Sequence, residues 1–174
     1  TTTRSGAAYT ATWTSNWIQI DQERKRRAVV HAIRFLTSLD DDNQFQATVT
    51  LKGVTHTFLG DTAFLLVAPG GSTTALLYHV GGSSSVSGID LELDDAGGAL
   101  PGAVVAGTYA PAQSGAVTDF QTGSVPGPDA PAAPYGAALF AHNGAGPNGS
   151  WKLYVQDDFV GDFGAVASGW ELHL

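Results

Sequence analysis

The chain has 174 residues, 43% hydrophobic and only 14% charged, with 22 Gly, 8 Pro and no Cys. That length suits one domain whose core needs no staples, and the missing Cys excludes disulfides, thiolate catalysis and cysteine zinc sites. A formal net charge of −8 is the wrong sign for a nucleic-acid partner, and no apolar run approaches the roughly 18 residues of a membrane span.

Residues 1–8 read as a terminus or linker. Residues 9–20 (YTATWTSNWIQI) are rich in aromatic and β-branched side chains and predict one or two strands. The charged run that follows, including Arg24-Lys25-Arg26-Arg27, reads as a solvated turn; it also has the composition of a site for basic-specific proteolysis. Residues 28–39 fit either a strand or a helical stripe, and the β-rich surroundings favour the strand. Asp40-Asp41-Asp42-Asn43 is a turn. Residues 45–51 (FQATVTL) alternate as a strand, and residues 62–68 (TAFLLVA) form the short apolar run of a buried one. Pro69-Gly70-Gly71 turns the chain back into residues 74–80, which predicts a hairpin. Residues 89–93 (IDLEL) alternate cleanly. Residues 96–149 form a long Gly/Pro/Ala-rich stretch of the kind that is functional or disordered, with a short strand expected at 137–140. Residues 151–155 and 170–174 place Trp151 and Trp170 inward on two closing strands, with a tight turn over 157–164. Many short strands, long crossing loops and no clear helix predict an all-β fold, a jelly-roll β-sandwich with Greek-key connections.

Several segments, taken together, carry a resemblance. His56-Thr57-Phe58-Leu59-Gly60-Asp61 is followed by Leu65-Leu66-Val67-Ala68-Pro69-Gly70-Gly71, then by Leu93-Asp94-Asp95-Ala96 and Gly107-Thr108-Tyr109-Ala110-Pro111. The chain closes on Asn148-Gly149-Ser150-Trp151-Lys152-Leu153-Tyr154-Val155, with Asp157-Asp158, Gly161-Asp162, Gly164 and Gly169-Trp170-Glu171-Leu172. In this order and spacing they resemble the P domain (Homo B domain) that follows subtilisin-like proprotein convertase catalytic domains, in its bacterial form. The likeness runs over residues 45–174 of a single domain spanning 1–174; residues 1–44 are atypical of the family. It implies a jelly-roll sandwich without activity of its own, beside a catalytic domain of a secreted or cell-surface hydrolase, a subtilisin-like protease above all. The implied role is to stabilise that neighbour, tune its calcium and pH response, or aid substrate binding. The chain has no Met, even at position 1, so it reads as a processed or excised piece, and no signal peptide is visible.

No hydrolase elbow, zincin helix or phosphate-binding loop is present. The five His lie far apart in sequence and read as strand or turn residues, with His56 bonding a loop backbone. Calcium is the one cofactor the residues suggest, because hard cations take six to eight oxygens and tight turns rich in Asp supply them. The candidate ligands are Asp61, Asp94, Asp95, Asp157, Asp158 and Asp162; Asp40–Asp42 fit a solvated turn better. Asp in turns also caps its own backbone, and both readings stand at this point. Trp13, Trp17 and Tyr9 fit core or edge packing; if exposed, they would instead suit a free-standing adhesion module for protein or polysaccharide surfaces.

Overall fold

Alternation along the third strand sets the architecture. The structure is a computed structural model that describes residues 26–30, 35–36, 47–117, 120, 130–143 and 148–174. Its strands are β1 (Arg26–Val30), β2 (Phe35–Leu36), β3 (Thr48–His56), β4 (Thr62–Val67), β5 (Thr73–Tyr78) and β6 (Val86–Gly98), then β7 (Gly107–Tyr109), β8 (Ala112–Gln113), β9 (Lys152–Asp157), β10 (Gly164–Val166) and β11 (Trp170–His173). In β3, Val49, Leu51, Val54 and His56 point inward while Thr48, Thr50 and Lys52 face out. Leu51 and Val54 are three residues apart, an odd spacing that a regular strand would send to opposite faces. A shift of register between them, with Gly53 at φ +66°, restores both to the core.

The strands form an all-β sandwich of two mixed sheets. One has the order β1-β9-β4-β5-β8; the other runs β2-β11-β3-β6-β7, with β10 also paired to β3. Between them lies the main core, where Val49, Leu51 and Leu91 meet Phe64, Leu66 and Leu153. Trp151 and Trp170 belong to this core, as their place on alternating strands predicts.

A second apolar cluster lies on the other face of the first sheet. Leu65, Tyr78 and Tyr154 are covered there by Phe120 and Ala130, with Tyr135 packed alongside. The ring of Phe120 meets Tyr135 edge-on at 5.6 Å. Strand β4 is therefore buried on both faces, and this explains its unbroken apolar run.

Several sequence expectations are corrected. The 96–149 stretch contributes β7, β8 and this covering layer. The strand expected at 137–140 is a 3-10 turn, Leu139–His142, because Asp95 on β6 takes the amides of Leu139 and Phe140 at 2.8 and 2.6 Å. Arg26 and Arg27 open β1 instead of sitting in a turn. The strand predicted at 45–51 runs on to His56, and Gly164 already belongs to β10. The expectations for residues 9–20, Arg24 and Lys25, and Asp40–Asp42 fall outside the described residues, as do Tyr9, Trp13 and Trp17.

Candidate functional site: an aspartate cluster at one end of the sandwich

Two connections between the sheets meet at one end of the molecule. The first leaves β3 at His56 and enters β4 through a 3-10 turn, Leu59–Asp61. The second leaves β9 at Asp157 and enters β10 at Gly164. Antiparallel pairing sets Thr62 opposite Asp157 and His56 opposite Gly164. The residues just beyond each pair therefore converge, and the amide of Asp158 donates to the carbonyl of Asp61 at 3.2 Å. Position 164 has to be glycine, since a Cβ there would fall on the Thr55 carbonyl and the His56 ring.

This geometry gathers four of the six predicted aspartates: Asp61, Asp157, Asp158 and Asp162. Asp162 is fixed by Thr57, whose hydroxyl donates to its Oδ1 at 2.6 Å while accepting the Phe163 amide at 3.1 Å. Asp157 is buried, and its Oδ1 accepts the Phe159 amide at 3.2 Å. Asp61 is bonded to Asp162 through its side chain; partial burial, then the charges of Asp162, Asp157 and Asp158, raise its pKa from 3.8 to about 6. Like charges this close cannot all ionise at no cost. Among the described residues, no three His, Asp or Glu side chains converge as placed on one ion-sized position.

Two histidines border the cluster. His56 is buried, with Nδ1 2.8 Å from the Phe58 carbonyl and Nε2 3.4 Å from Asp157 Oδ2. The first contact is the loop-backbone bond its position predicts. His79, just after β5, has Nε2 2.9 Å from Asp158 Oδ2 and a positive φ of 51°. The sequence gives no sign of His79; it joins the site because Tyr78 pairs with Ala63, and the His79 amide then donates to the Thr62 carbonyl at 3.0 Å.

Asp94 and Asp95 are not part of this cluster. They lie near the opposite end of β3, where Leu93 pairs with Val49, and the run from Val49 to His56 spans about 20 Å. Asp94 accepts the amide of Ala96 at 2.8 Å, the local turn bond of an Asx motif. Asp95 is occupied with the 3-10 turn.

A third histidine is structural. His142 lies edge-on to Trp151 at 5.3 Å, with Nε2 2.9 Å from Thr74 Oγ1 and Nδ1 3.2 Å from Ser72 Oγ. The Thr74 hydroxyl donates to the Ala138 carbonyl, so it accepts from Nε2–H and leaves Nδ1 to accept from Ser72. Burial pushes the pKa of His142 below its usual value, with Asp95 opposing, and the neutral ring ties the Leu139–His142 turn to β5.

The surface around the cluster is apolar. Phe159, Val160 and Phe163, on the same turn as Asp158 and Asp162, are 61, 55 and 40% exposed. On the other side, His79 opens into a groove of about 500 Å³ lined by Leu100, Pro101, Pro111 and Ala112. No protein-family model matches the chain, and no curated protein matches it as a relative. No helix among the described residues is long and apolar enough to cross a membrane.

Proposed function

We propose that this chain is a non-catalytic accessory domain, a jelly roll of the P-domain kind, that supports a neighbouring catalytic domain of a secreted or cell-surface hydrolase. Calcium held by Asp61, Asp157, Asp158 and Asp162 stabilises it. The observation that carries this reading is the gathering of Asp61, Asp157, Asp158 and Asp162 where two inter-sheet connections meet. A divalent cation there offsets the repulsion among these carboxylates. The donors are hard oxygens on two turns that cross between sheets, so an ion there ties the sheets together. The exposed Phe159, Val160 and Phe163 support a docking role, since contiguous apolar surface is the usual mark of an interaction site. The resemblance of the motifs supplies the identity of the partner. Asp94 and Asp95 drop out of the proposed ligand set because their carboxylates serve local backbone amides.

Calorimetric titration of calcium into the chain tests the site. One equivalent binds to the wild type, and the heat disappears in D61N and in D162N while D94N keeps it. Equal binding by all four proteins would place calcium elsewhere and remove the basis for the reading.

A further inference from the structure

The groove beside the aspartate cluster has no part in the calcium site. Its volume of about 500 Å³ falls in the range of ligand-binding clefts. Three segments line it: 79–82 after β5, 99–102 after β6, and 110–114 at the crossover from β7 to β8. Strands β7 and β8 are the terminal strands of their sheets, so the groove lies where both sheets end.

The lining is apolar and rich in main chain. Leu100, Pro101, Pro111 and Ala112 supply the apolar surface, and the only polar side chains among the lining residues are His79 and Ser114. No Trp, Tyr or Phe ring lines it to stack a flat ligand. At Gly82 and Gly102 the place of a Cβ is open space, so the main chain of a ligand can come close to theirs. The outer edge of β8 has no strand partner among the described residues. An extended chain therefore meets main-chain groups here, which read any sequence, and apolar walls, which favour small and aliphatic side chains.

Charge narrows the choice further. The lining holds no Lys, Arg, Asp or Glu, but His79 has its Nε2 2.9 Å from Asp158 Oδ2. The Asp158 side chain is 27% exposed at this rim, and Asp61, Asp157 and Asp162 stand around it. One side of an apolar groove thus carries concentrated negative charge, in a chain whose net charge is already −8. A peptide with a basic residue beside an apolar stretch complements both features.

We propose that the groove receives an extended apolar segment of a partner protein, with an Arg or Lys of that segment placed against Asp158 at the rim. This rests on the docking role proposed above and needs no calcium. An ion at the cluster competes for the same charge, so calcium and peptide weaken each other's binding by the same factor.

The probes are two capped peptides, Ala-Leu-Pro-Ala-Arg and Ala-Leu-Pro-Ala-Glu. Each is titrated into the whole chain in chelator at low salt while backbone amides are followed by NMR. The Arg peptide shifts the amides of Gly81, Gly82, Gly102 and Ala112, and binds at least about fivefold more tightly than the Glu peptide. D158N narrows that gap. G102W fills the groove from a position where a Cβ meets nothing, so it folds and loses the binding. No shift at these amides overturns the proposal, and so does equal binding of the two peptides. Shifts that persist unchanged in G102W also overturn it, by placing the Arg peptide on the carboxylates alone. If the same amides shift with protein concentration and no peptide, a second copy of the chain is the occupant and the proposal falls. Calcium binding is read on the peptide-free chain, so calcium binding without peptide binding removes this proposal and leaves the cation site standing.

Discussion

At the scale of single residues, the aspartates show how alike a set of carboxylates looks in sequence and how differently it is used. Asp94 lies within β6 and Asp157 ends β9, and both accept an amide two residues on. Only Asp157 also has a second oxygen turned to a buried histidine. The spacing from His56 to Asp61 and from Asp157 to Asp162 was legible as motif, but which pairs meet depends on strand register, which spacing does not encode. Asp61 gives the sharpest residue-level prediction. Its carboxyl holds a proton more tightly folded than unfolded, so its contribution is fully present below the unfolded pKa and is lost as pH rises through the folded value. In chelator, wild-type stability should therefore fall between about pH 4 and about pH 6. D61N should lack that slope and be more stable than wild type above it, by up to about 1 kcal/mol given the partial exposure of the site. Urea midpoints at several pH values measure this, and identical slopes for the two proteins would mean that folding does not raise the Asp61 pKa.

At the scale of elements, the strands with clean alternation or unbroken apolar runs could be read directly. Residues 62–68, 74–80, 89–93 and 170–174 all lie on or overlap observed strands. What escaped the reading was set by partners distant in the chain. Leu139–His142 is a 3-10 turn because Asp95 takes two of its amides, and β10 forms because Gly164 alone permits close approach to Thr55 and His56. The Gly/Pro/Ala-rich stretch has no periodicity, yet its Phe120 is fully buried on the outer face of the first sheet. F120A should accordingly cost about 3–4 kcal/mol in chemical denaturation. A loss below about 1 kcal/mol would show that this layer adds little to the sandwich.

At the scale of the whole molecule, composition and pattern pointed to two packed sheets, and the structure has them. A chain with a net charge of −8 concentrates four carboxylates where two inter-sheet connections meet, beside exposed Phe159, Val160 and Phe163. An ion bound only by the folded state must raise stability in proportion to its occupancy. The most direct measurement is the thermal unfolding midpoint of the intact chain in excess calcium and in excess chelator, at neutral pH. The midpoint should be higher by roughly 5 °C or more with calcium, and the shift should vanish in D162N. Equal midpoints in the two buffers would contradict it, and would leave the aspartates as ordinary turn residues.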